Sequence, residues 1–537
     1  MADSHWIKGL VDEILKRGDE RILVHTGKTP SGPIHIGAER EQFICSAIQR
    51  ELARRGIGST FNFIVDSYDP LKSIPAGLDV PQGFSDHIGE PLSDIPDPFG
   101  CHESYAVHFA EEFIQAQQKL GLSPNIIYSH VLYQRPEMKD AIRTCLRRLE
   151  DLRAIRKNYV QEEEEKGADN WNPVMVVCPK CGKIASKKKE VAPNRVLSWD
   201  LDRDEVLFAC NSCGYEGTGK ISETRLKLSW RVDWGVKWAI FRVTCEPAGK
   251  DHCVKQGAYD MGLEVCSKVF GYVGPLKVPY EWLTLGEHAM KTHKGITFTP
   301  VEWLRIAPPE LLRYMILSAD LMRHIAFLPD RIPDLADNFD RLERIYFGGE
   351  GPSGNESIDF MKALYEISTV GPVPKQQPAR IPYRFCVYMV QLEALFGQNE
   401  VARKSGEYLA KLSGRSLNME EVDDMRMRLS MAKNWVASYA PPSQKFQISA
   451  QLPAYSPKTD AERGFIQDVI SLLEKDLKEA ELQNEIFNVA RARGLEVGKA
   501  FGVIYGILLG SDKGPRLGPL LMALDRQWLL RRLRSVL

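Results

Sequence analysis

Two cysteine pairs, Cys178-Pro-Lys-Cys181 and Cys210-Asn-Ser-Cys213-Gly214, stand 28 residues apart inside the segment Trp171–Gly217. Each is a C-x-x-C knuckle with a hydrophobic residue before it, and two such knuckles define a zinc ribbon. Four thiolates suit tetrahedral structural zinc and leave no open position for catalysis; the alternative is two incidental thiol pairs. A second set of soft and hard donors, Asp97, Cys101, His102 and His108, falls within twelve residues. Adjacent Cys and His cannot share a helix face, but they can converge from a loop onto a helix start. That spacing matches no common finger, so zinc binding and simple loop capping both remain open for these four.

A third stretch, Arg21–Glu41, reads R-I-L-V-H-T-G-K-T-P-S-G-P-I-H-I-G-A-E-R-E. Its residues suit a nucleotide. Histidine at a helix entrance can donate to a phosphate oxygen, and the first turn of a helix offers free N–H groups and a positive dipole end. Gly37 removes a Cβ from the path of an adenine. The stretch contains neither G-x-G-x-x-G nor G-x-x-x-x-G-K-[ST], so it is neither the dinucleotide fingerprint nor a P-loop. Alone, His35-Ile36-Gly37 also describes a loop histidine satisfied by its own backbone.

Two further strings concentrate reactive types. Leu228–Trp238 gathers three tryptophans around Arg231 and Asp233; these are core aromatics or, with Asp233 among them, a seat for an ammonium group. Glu246-Pro-Ala-Gly249-Lys250-Asp251-His252 makes a tight turn that would bring backbone close to a ligand.

The elements that must position these groups follow from periodicity. Ile22-Leu23-Val24 reads as a buried strand, and Gly27, Pro30, Gly32 and Pro33 force a loop. From about Gly37 apolar residues recur at helical spacing (Phe43, Ile44, Ala47, Ile48, Leu52) until Gly56. Thr60–Val65 is a second strand, with Asp66 and Asp69 just past its end, where doubly wound sheets place ligands and where simple turn chemistry also puts aspartate. Residues 1–20 form a short amphipathic helix with Trp6, Leu10, Ile14 and Leu15 on one face; residues 71–100 are irregular; residues 103–120 and 136–166 are helical, with Glu162–Glu165 a solvated helix end. Residues 300–350 are helical, with Leu311, Leu312, Met315 and Ile316 on one face. After the glycine-rich Gly348–Asn355, amphipathic helices continue to the end with no strand pattern.

The string T-P-S-G-x-I-H-I-G resembles the first signature of class I aminoacyl-tRNA synthetases, and its lead-in looks like the class I lysyl-tRNA synthetases. The chain also resembles that family at P-D-P-x-G-C-H-E-S-Y-x-x-H-F, a string that holds zinc in archaeal members, at W-R-V-D-W and at E-P-A-G-K-D-H. Ala432–Pro442 and Ser511–Pro519 resemble the family's C-terminal helical domain.

The resemblance implies an α/β fold: a Rossmann-like catalytic domain in two halves (1–96 and 224–288) around a zinc-containing insertion (97–223), then a loop and connecting helical domain (289–350), and an all-α anticodon-binding domain (351–537). It implies a lysine–tRNA ligase that makes lysyl-adenylate from ATP, with Mg2+, and passes the lysyl group to tRNA. His35, Lys291 and Lys294 would stabilise phosphate charge. Gly37, Gly249, Asp251 and Met290 would bind ATP; Gly27, Thr29, Asp233, Trp234 and His252 would shape the amino-acid pocket. Cys178, Cys181, Cys210 and Cys213 would hold one zinc, and Asp97, Cys101, His102 and His108 a second. Arg526, Arg531, Arg532 and Arg534 could contact phosphates or simply form an exposed helix face.

Departures from the family pattern are specific. In place of K-M-S-x-S-K-G stands Ala289-Met290-Lys291-Thr292-His293-Lys294-Gly295. The first lysine is lost, and losing one donor to a developing charge costs ~3–4 kcal/mol. Lys291 stands two positions on; two extended residues span roughly 7 Å, which a lysine side chain nearly covers. Lys28 replaces an apolar residue in G-x-T-P-S-G, and Trp234-Gly-Val-Lys237-Trp238 replaces W-P-M-R-W. Two other functions therefore stay in view: a paralogue that activates another amino acid or charges another acceptor, motivated by Lys28, and an inactive tRNA-binding protein, motivated by Ala289.

Composition sets wide bounds. A chain of 537 residues, 44% hydrophobic and 26% charged with net charge −1, is an ordinary globular protein of two to four domains. A tRNA partner needs a basic surface, not a basic total. Met1–Leu10 has no apolar core of a signal peptide, and Phe501–Leu509 falls far short of the roughly 20 residues that span a bilayer. A cytoplasmic protein with no membrane partner is expected, and its eleven cysteines fit metal binding and free thiols better than disulfides. Oligomeric state leaves no trace in the sequence.

Overall fold

The computed structural model describes residues 4–159, 171–187, 192–354, 356–446, 455–475, 477–514 and 516–537. Glu162–Glu165 lie outside the described residues, as do Asn355 and Pro515. The chain divides into two compact units: Met1–Glu302 with Leu312–Phe327 and Pro352–Val373, and Trp303–Leu311 with Leu328–Gly351 and Pro374–Leu537.

The first unit is built on five parallel strands, β1 (Ile22–Lys28), β2 (Ser59–Val65), β3 (Asn125–Tyr128), β4 (Cys245–Gly249) and β5 (Leu276–Tyr280), in the order β5-β4-β1-β2-β3. The strand begun by Ile22-Leu23-Val24 continues through Lys28, so His25 and Thr26 are buried inside it. Buried strands of a parallel sheet need helices on both faces. Among those that serve here are α1 (Trp6–Lys16), α2 (Glu39–Arg54), α3 (Tyr105–Lys119) and α4 (Trp230–Phe241). Phe43, Ile44, Ala47, Ile48 and Leu52 are buried along α2 as their spacing predicts. In α1 the buried residues are Ile7, Leu10, Val11 and Ile14, a face rotated from the expected one because Trp6 and Leu15 stay partly exposed.

The join between β1 and β4 matters most. Their register is a single pair, Val24 with Cys245. Pro247 follows two residues later and has no N–H for a ladder. Beyond the pair the two carboxyl ends leave a crevice at the point where strand order reverses, the usual ligand seat of such sheets. Arg40 of α2 braces its far side, donating to the carbonyls of Asp320, Leu321 and Arg323 at 2.9–3.1 Å.

Between β3 and β4 comes a separate insertion. Val174–Val176 pairs antiparallel with Leu226–Leu228, and Arg195–Asp200, Glu205–Ala209 and Glu216–Lys220 form a three-stranded sheet. The expected helix 136–166 is broken: it runs Pro136–Arg147 and Leu149–Lys157.

The second unit is helical throughout its described residues; its helices include Ile332–Tyr346, Tyr383–Gln391, Gln398–Ser413, Met419–Ser438, Asp460–Leu473 and Val497–Leu509. Arg428 is buried there and bonds both oxygens of Asp340 at 3.2 and 3.0 Å. Of the four C-terminal arginines that suit either phosphate contact or an exposed helix face, Arg532 is buried and donates to the Ile507 carbonyl, and Arg534 pairs with Glu474. No helix among the described residues is long and apolar enough to cross a membrane.

Candidate active site and metal sites

A cavity of about 660 Å³ opens above the β1/β4 crevice. Gly27, Thr29, His35 and Gly37 line it from β1 and the loop after it; Asp233 and Trp234 from α4; Gly249, Asp251 and His252 from β4 and its turn; Met290 and Lys291 from the following loop. One cavity thus collects every candidate for the phosphate, adenosine and amino-acid subsites except Lys294. Lys294 is exposed, and its backbone N–H is tied to the Lys291 carbonyl at 2.9 Å.

His35 accepts the Gly37 N–H on Nδ1 at 3.2 Å. That bond needs an unprotonated Nδ1, so the other ring nitrogen, Nε2, carries the hydrogen and is the donor. Burial, reinforced by the charge of Lys28, pushes the imidazole down to about 3, so it works as a neutral donor. A Cβ on Gly37 would stand 2.8 Å from His35 Nδ1 and 3.5 Å from Met290 Cε. The glycine is therefore what lets ring, methionine and backbone close together.

The loop that departs from the family pattern is docked on the first signature. Thr292 donates to the Pro33 carbonyl at 3.0 Å, Ile36 N–H to the Phe298 carbonyl at 2.8 Å, and Ala76 N–H to the His293 carbonyl at 3.2 Å. Gly32 lies at φ +149°, and a Cβ there would strike Pro75 at 2.5 Å and Thr292 at 2.9 Å; only glycine permits this approach. Lys291 backbone is held in a tight turn by its N–H to the Ile296 carbonyl at 2.8 Å, and the residue lines the cavity.

Asp251, a candidate for adenosine, accepts from Trp282 Nε1 at 3.0 Å. A Cβ on Gly249 would meet nothing within 4 Å, so the backbone there is open to the cavity. Trp234 donates Nε1 to Glu246 at 2.7 Å, Trp238 to the same carboxylate at 2.5 Å, and His25 Nδ1 lies 2.6 Å from it. His252 meets Trp230 and Trp234 at ring separations of 5.9 and 5.7 Å.

Asp233 differs from expectation. It reaches the cavity, but both oxygens are engaged: one by the Tyr133 hydroxyl at 2.7 Å, the other by Lys237 at 2.9 Å and Lys227 at 3.6 Å. The seat for an ammonium that the sequence suggested there is already filled. Sequence reasoning also passed over Glu41, which accepts from the Tyr280 hydroxyl at 2.8 Å in the cavity wall and is pushed up to about 7 by burial. Lys28 points inward, on the wall, where its charge bears on His35, Glu41 and His252.

Two donor clusters lie outside this cavity. Cys178 and Cys213 Sγ are 3.7 Å apart and Cys181 and Cys210 Sγ 3.6 Å, with all four within 4.8 Å. A tetrahedron with metal–sulfur bonds of about 2.3 Å has edges of about 3.8 Å, so the four thiols fit one zinc ion. Asn194, unread in the sequence, donates Nδ2 to the Val176 and Lys183 carbonyls and accepts the Asn211 N–H, tying the two knuckles together. The second cluster also converges. Cys101 Sγ lies 3.2 Å from Asp97 and 3.1 and 3.2 Å from the Nδ1 atoms of His102 and His108. Asp97 simultaneously accepts the N–H groups of Phe99, Cys101 and His102. Loop capping and a metal-competent donor set are thus the same structure.

The family profile "tRNA synthetases class I (K)" matches residues 4–371. A protein named lysine–tRNA ligase from Methanocaldococcus jannaschii is 34% identical over 547 aligned residues, covering 98% of this chain and 99% of that one. Proteins of the same name from Pyrococcus horikoshii and Thermococcus kodakarensis are 33% and 34% identical, each covering 99% of both chains.

Proposed function

The chain belongs to the class I (K) tRNA synthetases, and from that membership we propose how its cavity carries out the work of a lysine–tRNA ligase. The lysine carboxylate attacks the α-phosphorus of ATP; the bond from that phosphorus to the bridging oxygen breaks and pyrophosphate leaves. A hydroxyl of the terminal tRNA ribose then attacks the carbonyl of lysyl-adenylate, releasing AMP and the hydroxyl proton.

Adenosine sits against Gly37, Gly249 and Met290, with Asp251 toward the ribose. The Nε2–H of His35 and the ammonium of Lys291 meet the charge that gathers on the phosphates; Lys294 joins them only if the loop shifts. Gly27, Thr29, Trp234 and His252 enclose the amino acid, and Asp233 acts on it through Lys237 and Lys227. Positioning and fixed charge supply most of such a barrier, and no general base is required. Mg2+ bound with the triphosphate would neutralise part of its charge.

Cys178, Cys181, Cys210 and Cys213 hold a structural zinc, and Asp97, Cys101, His102 and His108 a second; both set fold rather than chemistry. The helical second unit reads the tRNA anticodon arm, and the protein works in the cytoplasm.

The observation that carries this reading is the docking of the 289–295 loop on the His35 loop, over one cavity that also holds the amino-acid candidates. ATP–pyrophosphate exchange across the amino-acid panel, followed by charging of unfractionated tRNA, tests it. Exchange with lysine and charging of tRNA are expected; no exchange with lysine removes the reading.

A further inference from the structure

The stretch after β2 is irregular, yet residues 69–92 of it form a closed and packed loop. Leu71 N–H bonds the Glu90 carbonyl, Gly89 N–H the Leu71 carbonyl and Leu92 N–H the Asp69 carbonyl, each at 2.9 Å. The chain therefore enters and leaves the loop through one neck. Leu71, Phe84 and Leu92 are buried against Ile95, Tyr105 and Phe109. A loop with its own core moves as a body, because close-packed side chains pass a displacement on rather than absorb it.

Two other pieces of the first unit rest on this loop, at different places. The first knuckle of the ribbon sits on Gly89. The N–H groups of Ile184 and Ala185 bond the Gly89 carbonyl at 2.7 and 3.3 Å, and Lys183 Nζ bonds the Asp86 carbonyl at 2.7 Å. Gly89 has φ +97°, and a Cβ there would drive into the Ala185 carbonyl. The 289–295 loop sits on the tip, Pro75-Ala76. Ala76 N–H bonds the His293 carbonyl at 3.2 Å. Gly295 has φ +69°, and a Cβ there would stand 2.6 Å from the Ala76 carbonyl oxygen. Both seats thus admit glycine alone. Gly89 is not among the residues that line the cavity, whereas Lys291 and Thr292 are.

We propose that Gly89 is a positioning residue for adenylate formation: by seating the ribbon it holds the 69–92 loop so that Pro75-Ala76 keeps the 289–295 loop, and Lys291 with it, at the phosphates. This rests on the lysine–tRNA ligase reading for the reaction, and adds that a part of the insertion outside the cavity sets its rate. The same packed body grips the other phosphate loop as well, since the Tyr105 hydroxyl donates to the Ser31 carbonyl at 3.0 Å. Ribbon, 289–295 loop and His35 loop therefore share one support. The amino-acid candidates Asp233, Trp234 and His252 stand on other elements, α4 and the turn after β4. A shift of the support should then be felt in the chemical step before it is felt in the binding of the amino acid.

Gly89→Ala in the full-length protein tests this, because the methyl must push the ribbon off its seat. The cysteines are untouched, so zinc content should match the parent. Backbone amides of 289–296 should take up deuterium about tenfold faster, the effect of losing roughly one hydrogen bond. The kcat for lysine-dependent pyrophosphate exchange should fall about 10–100-fold, the scale of a small misplacement, with KM for lysine held. Gly295→Ala opens the other seat directly. If Gly89 acts through the loop, Gly89→Ala adds no further loss of kcat in a Gly295→Ala background. Losses that multiply mean two independent defects and overturn the proposal. So does a lower melting temperature with parental kcat at temperatures below it, or faster deuterium uptake confined to 85–90 and 178–187; Gly89 then serves folding alone. Should Gly89→Ala not fold, Lys183→Met, which removes only the bond to the Asp86 carbonyl, is read by the same measures and should change them in the same direction. Deuterium uptake needs no substrate, so it decides for Gly89 even where the parent shows no exchange with lysine. A parent that exchanges with another amino acid removes the lysine reading, and kcat is then taken with that amino acid.

Discussion

The Thr292 hydroxyl donates to the Pro33 carbonyl across 3.0 Å, fastening the loop that bears Lys291 to the loop that bears His35. One hydrogen bond contributes about 0.5–1.5 kcal/mol. Thr292→Val should therefore slow lysine-dependent pyrophosphate exchange by up to about tenfold while leaving the melting temperature within a degree or two. A large fall in melting temperature with unchanged exchange would mean that the bond serves folding alone.

His35 is a neutral donor in this structure, and two consequences can be measured. His35→Ala removes a donor aimed at developing charge, so kcat for exchange should fall about 10²–10³-fold. Stability should also depend on pH. Burial holds His35 at about 3 and His5 at about 4, while both titrate near 6.5 in the unfolded chain. Between those values the unfolded state binds the extra protons, so stability climbs with pH across the window, is complete above about 6.5 and is lost progressively on acidification. Urea midpoints at pH 7.5 and pH 5 should show the drop, and His35→Asn should lessen it.

Lys28 and Ala289 line the same cavity, one a cation gained and the other a cation lost relative to the family pattern. Lys28 has no ion pair among the described residues, so its charge is available to an anion. Lys28→Ile in an otherwise unaltered chain should slow exchange about tenfold or more, and adding Ala289→Lys should restore much of the loss. If the double variant is no faster than Lys28→Ile alone, the two positions do not exchange roles and Lys291 carries the charge alone.

The ribbon should depend on metal and on Asn194. Elemental analysis of Cys178→Ser should show one equivalent of zinc fewer than the parent, and Cys101→Ala likewise for the second cluster. Asn194→Ala removes the donor to the Val176 carbonyl and one of two donors to the Lys183 carbonyl, which keeps the Cys178 N–H at 3.0 Å, at a cost of about 1–3 kcal/mol. It should lower the temperature at which a chelator strips the ribbon, with exchange activity retained at lower temperature.

Much of the cavity was legible because its residues come in short strings. Gly27, Thr29, His35 and Gly37 share one loop, Gly249, Asp251 and His252 one turn, Met290 and Lys291 another, and a strand-turn-helix pattern is enough to locate such groups. Lys227 was not legible. It sits in Leu226-Lys227-Leu228, where alternation sends the middle residue to solvent, and it is buried instead with its ammonium on Asp69 and Asp233. Asp66 and Asp69 read from sequence either as turn residues or as ligand contacts; Asp69 N–H bonds the Asp66 carbonyl at 3.3 Å, which makes the turn, and both residues line the cavity. Asp233 was read from its aromatic neighbours alone, and its lysine partners come from elsewhere in the chain and from one turn further along α4.

The order in which the two units draw on the chain constrains how the protein can be made. Five times, at residues 302–303, 311–312, 327–328, 351–352 and 373–374, the polypeptide leaves one unit for the other. Arg313 is buried, with its guanidinium on the Ile367 carbonyl at 2.8 Å and on the Leu120 carbonyl at 3.3 Å. Part of what surrounds that guanidinium, the Ile367 carbonyl, therefore comes from the last piece of chain that the sheet-bearing unit uses, 352–373. A gene fragment ending at the glycine-rich segment near 350 would yield an incomplete catalytic half, whereas one extended past 373 would carry every piece that this unit owns.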